Sequence, residues 1–144
     1  MTIETRDFGP LEVEESHILT FVQPILGFED YRRYALITTP ELGPYVACLQ
    51  SLEEPGLCFV LMDPDALAVP YAPVIPEDAA EALGAGETVC WVIAVLGEDL
   101  AHSTVNLKSP VLVNGETRRG IQLILDQDLP VRCPILRETG AGTC

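Results

Sequence analysis

The residues with chemistry to offer are few, and their spacing suits none of the common reactions. The chain of 144 residues holds two histidines, His17 and His102, and five cysteines, Cys48, Cys58, Cys90, Cys133 and Cys144. A zinc site needs a C-x-x-C pair or a histidine close to a cysteine, and the cysteines here form no close pair. Ser103 follows His102 directly, but neighbours on a strand face opposite ways, so the two cannot form a nucleophile–base pair there. The acids occur as Glu12/Glu14/Glu15, Glu53/Glu54, Asp63/Asp65, Glu77/Asp78 and Asp126/Asp128. Those sit at strand ends, turns or a helix start, where charge is solvated or favours the helix N-terminus. Asp63-Pro64-Asp65 begins like a calcium loop, but no glycine or closing glutamate follows at the required spacing. The glycines do not open a helix after a strand, so no phosphate cradle is present. The reading is a protein that is not an enzyme and needs no metal or cofactor.

The distinctive segment is 104–125, TVNLKSPVLVNGETRRGIQLIL. Asn114-Gly115 between two apolar runs is a strong hairpin signal, because both residues tolerate positive φ. A segment distinctive without being chemical suggests a surface for another protein. Three of the eight basic residues, Lys108, Arg118 and Arg119, lie in it. They serve either as protection of a sheet edge or as a recognition face of mixed charge.

Charge narrows the partners. Acids outnumber bases 22 to 8, for a net charge of −14. That excess repels nucleic-acid phosphates and anionic membranes and steers a basic protein inward. No apolar run approaches the ~20 residues that span a bilayer. The opening MTIETRDFGP has neither a basic nor an apolar leader region. With the odd cysteine count, it predicts reduced thiols and a cytoplasmic location. Cys48, Cys58 and Cys90 lie in apolar runs and read as small hydrophobes.

The elements that must position these residues are short. Strands are predicted over 3–8, 11–14, 17–21, 34–38, 45–51, 57–62, 88–96, 103–107, 111–114 and 121–125. Residues 69–76 carry Pro70, Pro73 and Pro76, and are extended without forming a central strand. Residues 76–83 form the one helix: Pro76 suits its start, Glu77 and Asp78 its first turn, and Gly84 its end. Residues 129–136 read as an extended arm. The strands follow one another without helices between them, which excludes βαβ units. The fold class is mainly β: a single-domain, small antiparallel β-barrel-like fold with one short helix. The domain covers 1–136, and 137–144 form a flexible tail.

Motif order adds a resemblance. The chain has Leu26-Gly27-Phe28-Glu29 after a strand, Leu49-Gln50-Ser51, and Leu57-Cys58-Phe59-Val60-Leu61 leading to Asp63-Pro64. It continues with Tyr71-Ala72-Pro73-Val74-Ile75-Pro76, Val105-Asn106-Leu107-Lys108-Ser109-Pro110, Thr117-Arg118-Arg119-Gly120-Ile121-Gln122, and Pro130-Val131-Arg132-Cys133-Pro134. In order and spacing this resembles the bacterial flagellar assembly factor FliW family over residues 2–136. Lys108-Ser109 before Pro110 and the displaced Pro24 depart from the usual pattern of two loops. The resemblance implies a cytoplasmic, non-enzymatic binding protein with two partners. One is flagellin before export; the other is CsrA, a basic translational repressor whose hold on flagellin synthesis is relieved when FliW binds it. Accumulating flagellin would then draw FliW away from CsrA.

The expected partner-binding face comprises Phe28, Glu29, Asn106, Lys108, Pro110, Asn114, Arg119 and Gln122. Asn106 and Gln122 would set register with amide hydrogen bonds, and Phe28 or Tyr71 would act as an aromatic anchor. Competing structural roles are turn stabilisation for Asn106 and Asn114 and core packing for Phe28. The alternative class is a small β-barrel enzyme using a surface carboxylate or thiol, which a deep pocket containing His17 or His102 would favour.

Overall fold

Period-two alternation of apolar and polar residues sets this architecture. The computed structural model describes residues 2–6, 9–38, 40–41, 43–67, 70–99 and 102–135. The tail read at 137–144, with Cys144, lies outside them. Ten strands are present among the described residues: β1 Thr2–Thr5, β2 Gly9–Glu12, β3 Ile18–Gln23, β4 Arg33–Ile37, β5 Val46–Ser51, β6 Cys58–Met62, β7 Thr88–Val95, β8 Thr104–Asn114, β9 Arg119–Gln122 and β10 Cys133–Pro134. The helix α1 is Glu77–Leu83.

Strands β3 to β9 pair in sequence order except at one seam. Each neighbour pair from β3–β4 to β8–β9 is antiparallel where the two are joined, and β9 returns to β3 in parallel. The ladder therefore closes on itself, and closure removes exposed edges. The hairpin β1–β2 forms a separate small sheet, and β10 adds to the outside of β8.

Leu19, Phe21, Tyr34, Ala47, Leu49, Leu61, Val111 and Val113 point inward as one core. Phe21 and Tyr34 meet edge-on with ring centroids 5.1 Å apart. Each such large side chain contributes about 1.5–3 kcal/mol by leaving water. Alternate residues face outward and need cover. Ala35, Ile37 and Cys48 pack with Ile3 of β1, while Leu112 and Ile121 pack under Ala79 and Leu83 of α1. Gly120 lets β9 close the seam, because a Cβ there would sit 2.6 Å from the Phe21 ring.

Several boundaries differ from the sequence reading. Residues 103–107 and 111–114 are one strand rather than two. Opposite them, Trp91 pairs with Val111 while Ile93 pairs with Asn106, so the single residue Val92 faces four residues of β8. Pro110 has no N–H to give to a ladder, which suits it to this wide bulge. His17 belongs to a single 3-10 turn, Glu15–His17, not to a strand. β9 stops at Gln122, but its line of bonds continues: Leu123 N–H donates to Pro110 O (2.9 Å) and Leu125 N–H to Lys108 O (2.9 Å). Cys48, Cys58 and Cys90 are in no disulfide, whereas Cys133 is disulfide-bonded. The expectation of reduced thiols throughout is corrected there; without a close pair, the sequence offers no spacing that would flag the bond.

Candidate protein-interaction face

The β8–β9 connection is not the two-residue turn that Asn114-Gly115 suggested. Asn114 pairs with Arg119, leaving four residues in the loop. The left-handed residue is Arg118, at φ 58°, and Gly115 is not in that region. Asn114 explains the choice. Its Oδ1 accepts from Glu116 N (2.9 Å) and Thr117 N (3.1 Å), the local capping geometry asparagine favours. Its Nδ2 lies 3.2–3.3 Å from the carbonyls of Leu83, Gly84 and Ala85 at the end of α1. Thr117 Oγ1 adds a bond to Leu83 O at 2.6 Å. Gly84, at φ 89°, allows the approach, because a Cβ there would lie 2.8 Å from Thr117 Cγ2.

Asn114 is thus fully buried and fastens helix to hairpin. It cannot itself touch a partner, because its amide is enclosed and already bonded. Pro110 is also buried. Lys108 is half-buried, with Nζ donating to Gln127 O at 3.0 Å. At the bulge, Asn106 Oδ1 accepts from Lys108 N (3.0 Å) and Ser109 N (3.1 Å). Arg119 is exposed at the start of β9, with Nη1 donating to Ala82 O at 3.2 Å.

The expected residues that come together at the surface are Phe28, Glu29 and Gln122. The half-buried Gln122 accepts from Leu26 N through Oε1 at 2.8 Å, tying the loop after β3 to the end of β9. Gly27, at φ 90°, turns that loop, and Glu29 Oε1 takes the Gly27 N–H at 3.2 Å. Phe28 has one side in the fold, edge-on to Phe59 at 5.1 Å, and remains 36% exposed. Between this loop and α1 runs an open cleft of about 530 Å³. Its lining includes Pro24, Leu26, Glu29, Asp78, Gln122 and Ile124. Leu26 and Ile124 are 65% and 57% exposed, large for apolar side chains beside one cleft.

Sequence reasoning missed Leu26, Ile124 and Asp78. Ile124 lies between buried Leu123 and Leu125; taking 121–125 as one apolar block hid the alternation that turns it outward. Tyr71 is not an anchor. Its hydroxyl donates to Leu107 O at 2.6 Å and its ring packs on the core. Burial raises its pKa well above the ordinary tyrosine value.

Neither the cleft beside α1 nor the groove lined by Thr20, Arg33 and Arg118 has a histidine in its lining. His102 pairs with Asp99 at 2.7 Å on an exposed turn. Ser103 is buried, accepting from Gly97 N and donating to Asp99 O. No group of three metal-ligating side chains occurs among the described residues, and no helix there is long and apolar enough to cross a membrane.

The model of the FliW protein family matches residues 2–135. A flagellar assembly factor FliW of Lachnospira eligens is 34% identical over 142 residues, covering 94% of each chain. The FliW of Leptospira interrogans is 38% identical, covering 85% of this chain and 83% of its own. That of Exiguobacterium is also 38% identical, covering 94% of both. A crystal structure of the flagellar assembly factor FliW superposes with a TM-score of 0.84 at 26% identity, over 95% of this chain and 98% of that one. Fold, motif order and whole-chain similarity agree: the chain belongs to the FliW family of flagellar assembly factors.

Proposed function

We propose that this protein is a cytoplasmic, non-enzymatic regulator that binds flagellin before export and also binds the translational repressor CsrA. By exchanging between them it couples the flagellin level to flagellin translation and flagellum assembly. The observation that carries this reading is the cleft beside α1. It combines exposed Leu26 and Ile124 with the carboxylates of Glu29 and Asp78, in a chain of net charge −14. Apolar rims with acidic flanks suit an amphipathic, basic protein surface, where apolar anchors give affinity and charge gives approach rate.

The test is co-purification with each partner followed by competition. Flagellin and CsrA should each be captured at micromolar concentration, and excess flagellin should displace CsrA. Capture of neither sinks the reading. The double variant Leu26→Asp/Ile124→Asp should weaken at least one partner by about 10-fold or more, the cost of removing buried apolar anchors; unchanged affinity for both removes the cleft from the interface.

A further inference from the structure

At the other end of β9 lies a second groove of about 470 Å³, and its chemistry is the reverse of the first. Its lining includes Ile18, Thr20, Val22, Arg33, Arg118 and Arg119. The register explains the layout. Thr20 of β3 pairs with Arg33 of β4 on one side and with Arg119 of β9 on the other. The three residues therefore stand in a row across adjacent strands, with the two arginine Cα atoms ~10 Å apart at ordinary strand spacing. Along β3, Ile18 and Val22 flank Thr20 on the same face. The groove has a floor of two apolar side chains and a hydroxyl, with arginines on both walls; Glu15 is the one acid in its lining, so arginines outnumber carboxylates there three to one.

Three of the chain's eight basic residues line this groove, although acids outnumber bases 22 to 8. Among the described residues none of the three pairs with a carboxylate. Arg118 Nη1 donates to the backbone carbonyl of Glu15 at 3.2 Å, and Arg119 Nη1 to that of Ala82. Each guanidinium keeps further donors in its planar fork. Arg118 also holds a left-handed backbone, at φ 58°, where glycine would sit with less strain. Backbone strain of this kind collects at binding sites, and the residue that bears it here lines the groove.

We propose that this groove is a docking site for an acidic, amphipathic segment of a protein partner, its glutamates or aspartates meeting Arg33, Arg118 and Arg119 and an apolar side chain resting on Ile18 and Val22. Charge complementarity selects carboxylates, and the apolar floor selects a peptide over a bare anion. A nucleic acid fits less well, because its dense phosphates would extend past the groove over a strongly acidic protein. This surface is separate from the cleft beside α1, and it stands or falls independently of which partner occupies that cleft.

The probe is a short fluorescein-labelled peptide with glutamates flanking valine and leucine, read by anisotropy against the full chain. Binding with Kd on the order of 10–100 µM at low salt is expected from a few exposed ion pairs plus apolar contact. It should weaken several-fold at 0.5 M salt, about the concentration at which such pairs are screened. Arg33→Glu/Arg118→Glu/Arg119→Glu should lower affinity by about 10-fold or more. Arg33→Glu/Arg119→Glu should also lower it while leaving the Arg118 turn intact, which covers failure of the triple variant to fold. Arg132→Glu, at an exposed site away from the groove, should leave it unchanged. Any of four outcomes overturns the proposal: no binding up to about 1 mM, equal binding of the lysine version of the peptide, affinity unmoved by the double reversal, or tighter binding of single-stranded RNA than of the peptide.

Discussion

The two asparagines of β8 do the same local job in different surroundings. Asn106 at the bulge and Asn114 at the turn each accept backbone N–H groups two and three residues ahead. At Asn114 the other half of the amide is also spent, on carbonyls at the end of α1, and the side chain is fully buried. At Asn106 the side chain is half-buried, and its Nδ2 remains available as a donor. One motif thus yields a fixed joint at one end of the strand and a surface donor at the other. Residue type sets the local bond; burial decides whether anything is left for a partner.

The sharpest way to break the comparison is to place aspartate at both positions, which keeps the acceptor and deletes the donor. Asn114→Asp should cost at least about 3 kcal/mol in chemical denaturation, because a buried carboxylate would face carbonyls without a donor. Asn106→Asp should cost less than about 1 kcal/mol, since both backbone N–H bonds survive. If it nonetheless weakens partner binding, the spare Nδ2 is a contact. Equal losses of stability at the two sites would end the distinction.

Next in size is Gly120→Ala, which tests the seam under the hairpin rather than the hairpin itself. Its Cβ would fall 2.6 Å from Phe21, so about 1–3 kcal/mol of destabilisation is expected, with the Asn114 bonds intact. Asn106→Ala should follow at about 1 kcal/mol, the net value of a local hydrogen-bond pair at a half-buried site.

The smallest effect separates these uncharged amides from the groups that titrate. Burial, and secondarily Asp63, pushes the Cys90 thiol up to about 11. Burial, then Glu53 and Tyr31, pushes Tyr34 up to about 12. Both are neutral in the folded state while the unfolded chain ionises at lower pH. Stability should hold to about pH 9 and then decline as pH rises through the raised values. An Asn106 variant should show the same alkaline slope in pH-dependent denaturation.

Much of the fold was legible because it is local. Short apolar runs bounded by proline and glycine marked the strands, and Pro76, Glu77, Asp78 and Gly84 bounded α1 closely. The parallel β3–β9 closure was not legible: β9 is four residues long, and nothing in its composition names a distant strand. Nor was the turn type. Asn-Gly pointed to positive φ at its own two positions, whereas the structure places it at Arg118 because Asn114 is held by a helix about 30 residues earlier. For the same reason the expected face divided. Glu29 and Gln122 line the cleft; Phe28 packs edge-on to Phe59; Asn114 and Pro110 withdraw into the interior; Arg119 belongs to another groove. Sequence proximity along 104–125 could not distinguish these fates, since exposure depended on the loop at 24–30 and on α1.

The parallel seam also has a kinetic consequence. Strands β3 to β8 join as successive neighbours, with paired residues at most 34 positions apart, but Thr20 meets Arg119 across 99 positions. Contacts of such long range bear the largest loop-closure entropy and form late. The register there also shifts between Phe21 and Gln23. The seam should be the last ladder to zip up and the first to open in native-state hydrogen exchange, with Ile121 losing protection before Leu49 or Leu61. Both grooves abut this seam, one lined by Thr20 and Arg119, the other by Gln23 and Ile121. A ligand bridging either groove would act as a clasp on the weakest join in the ring, and its binding should be read as slowed exchange across β3 and β9.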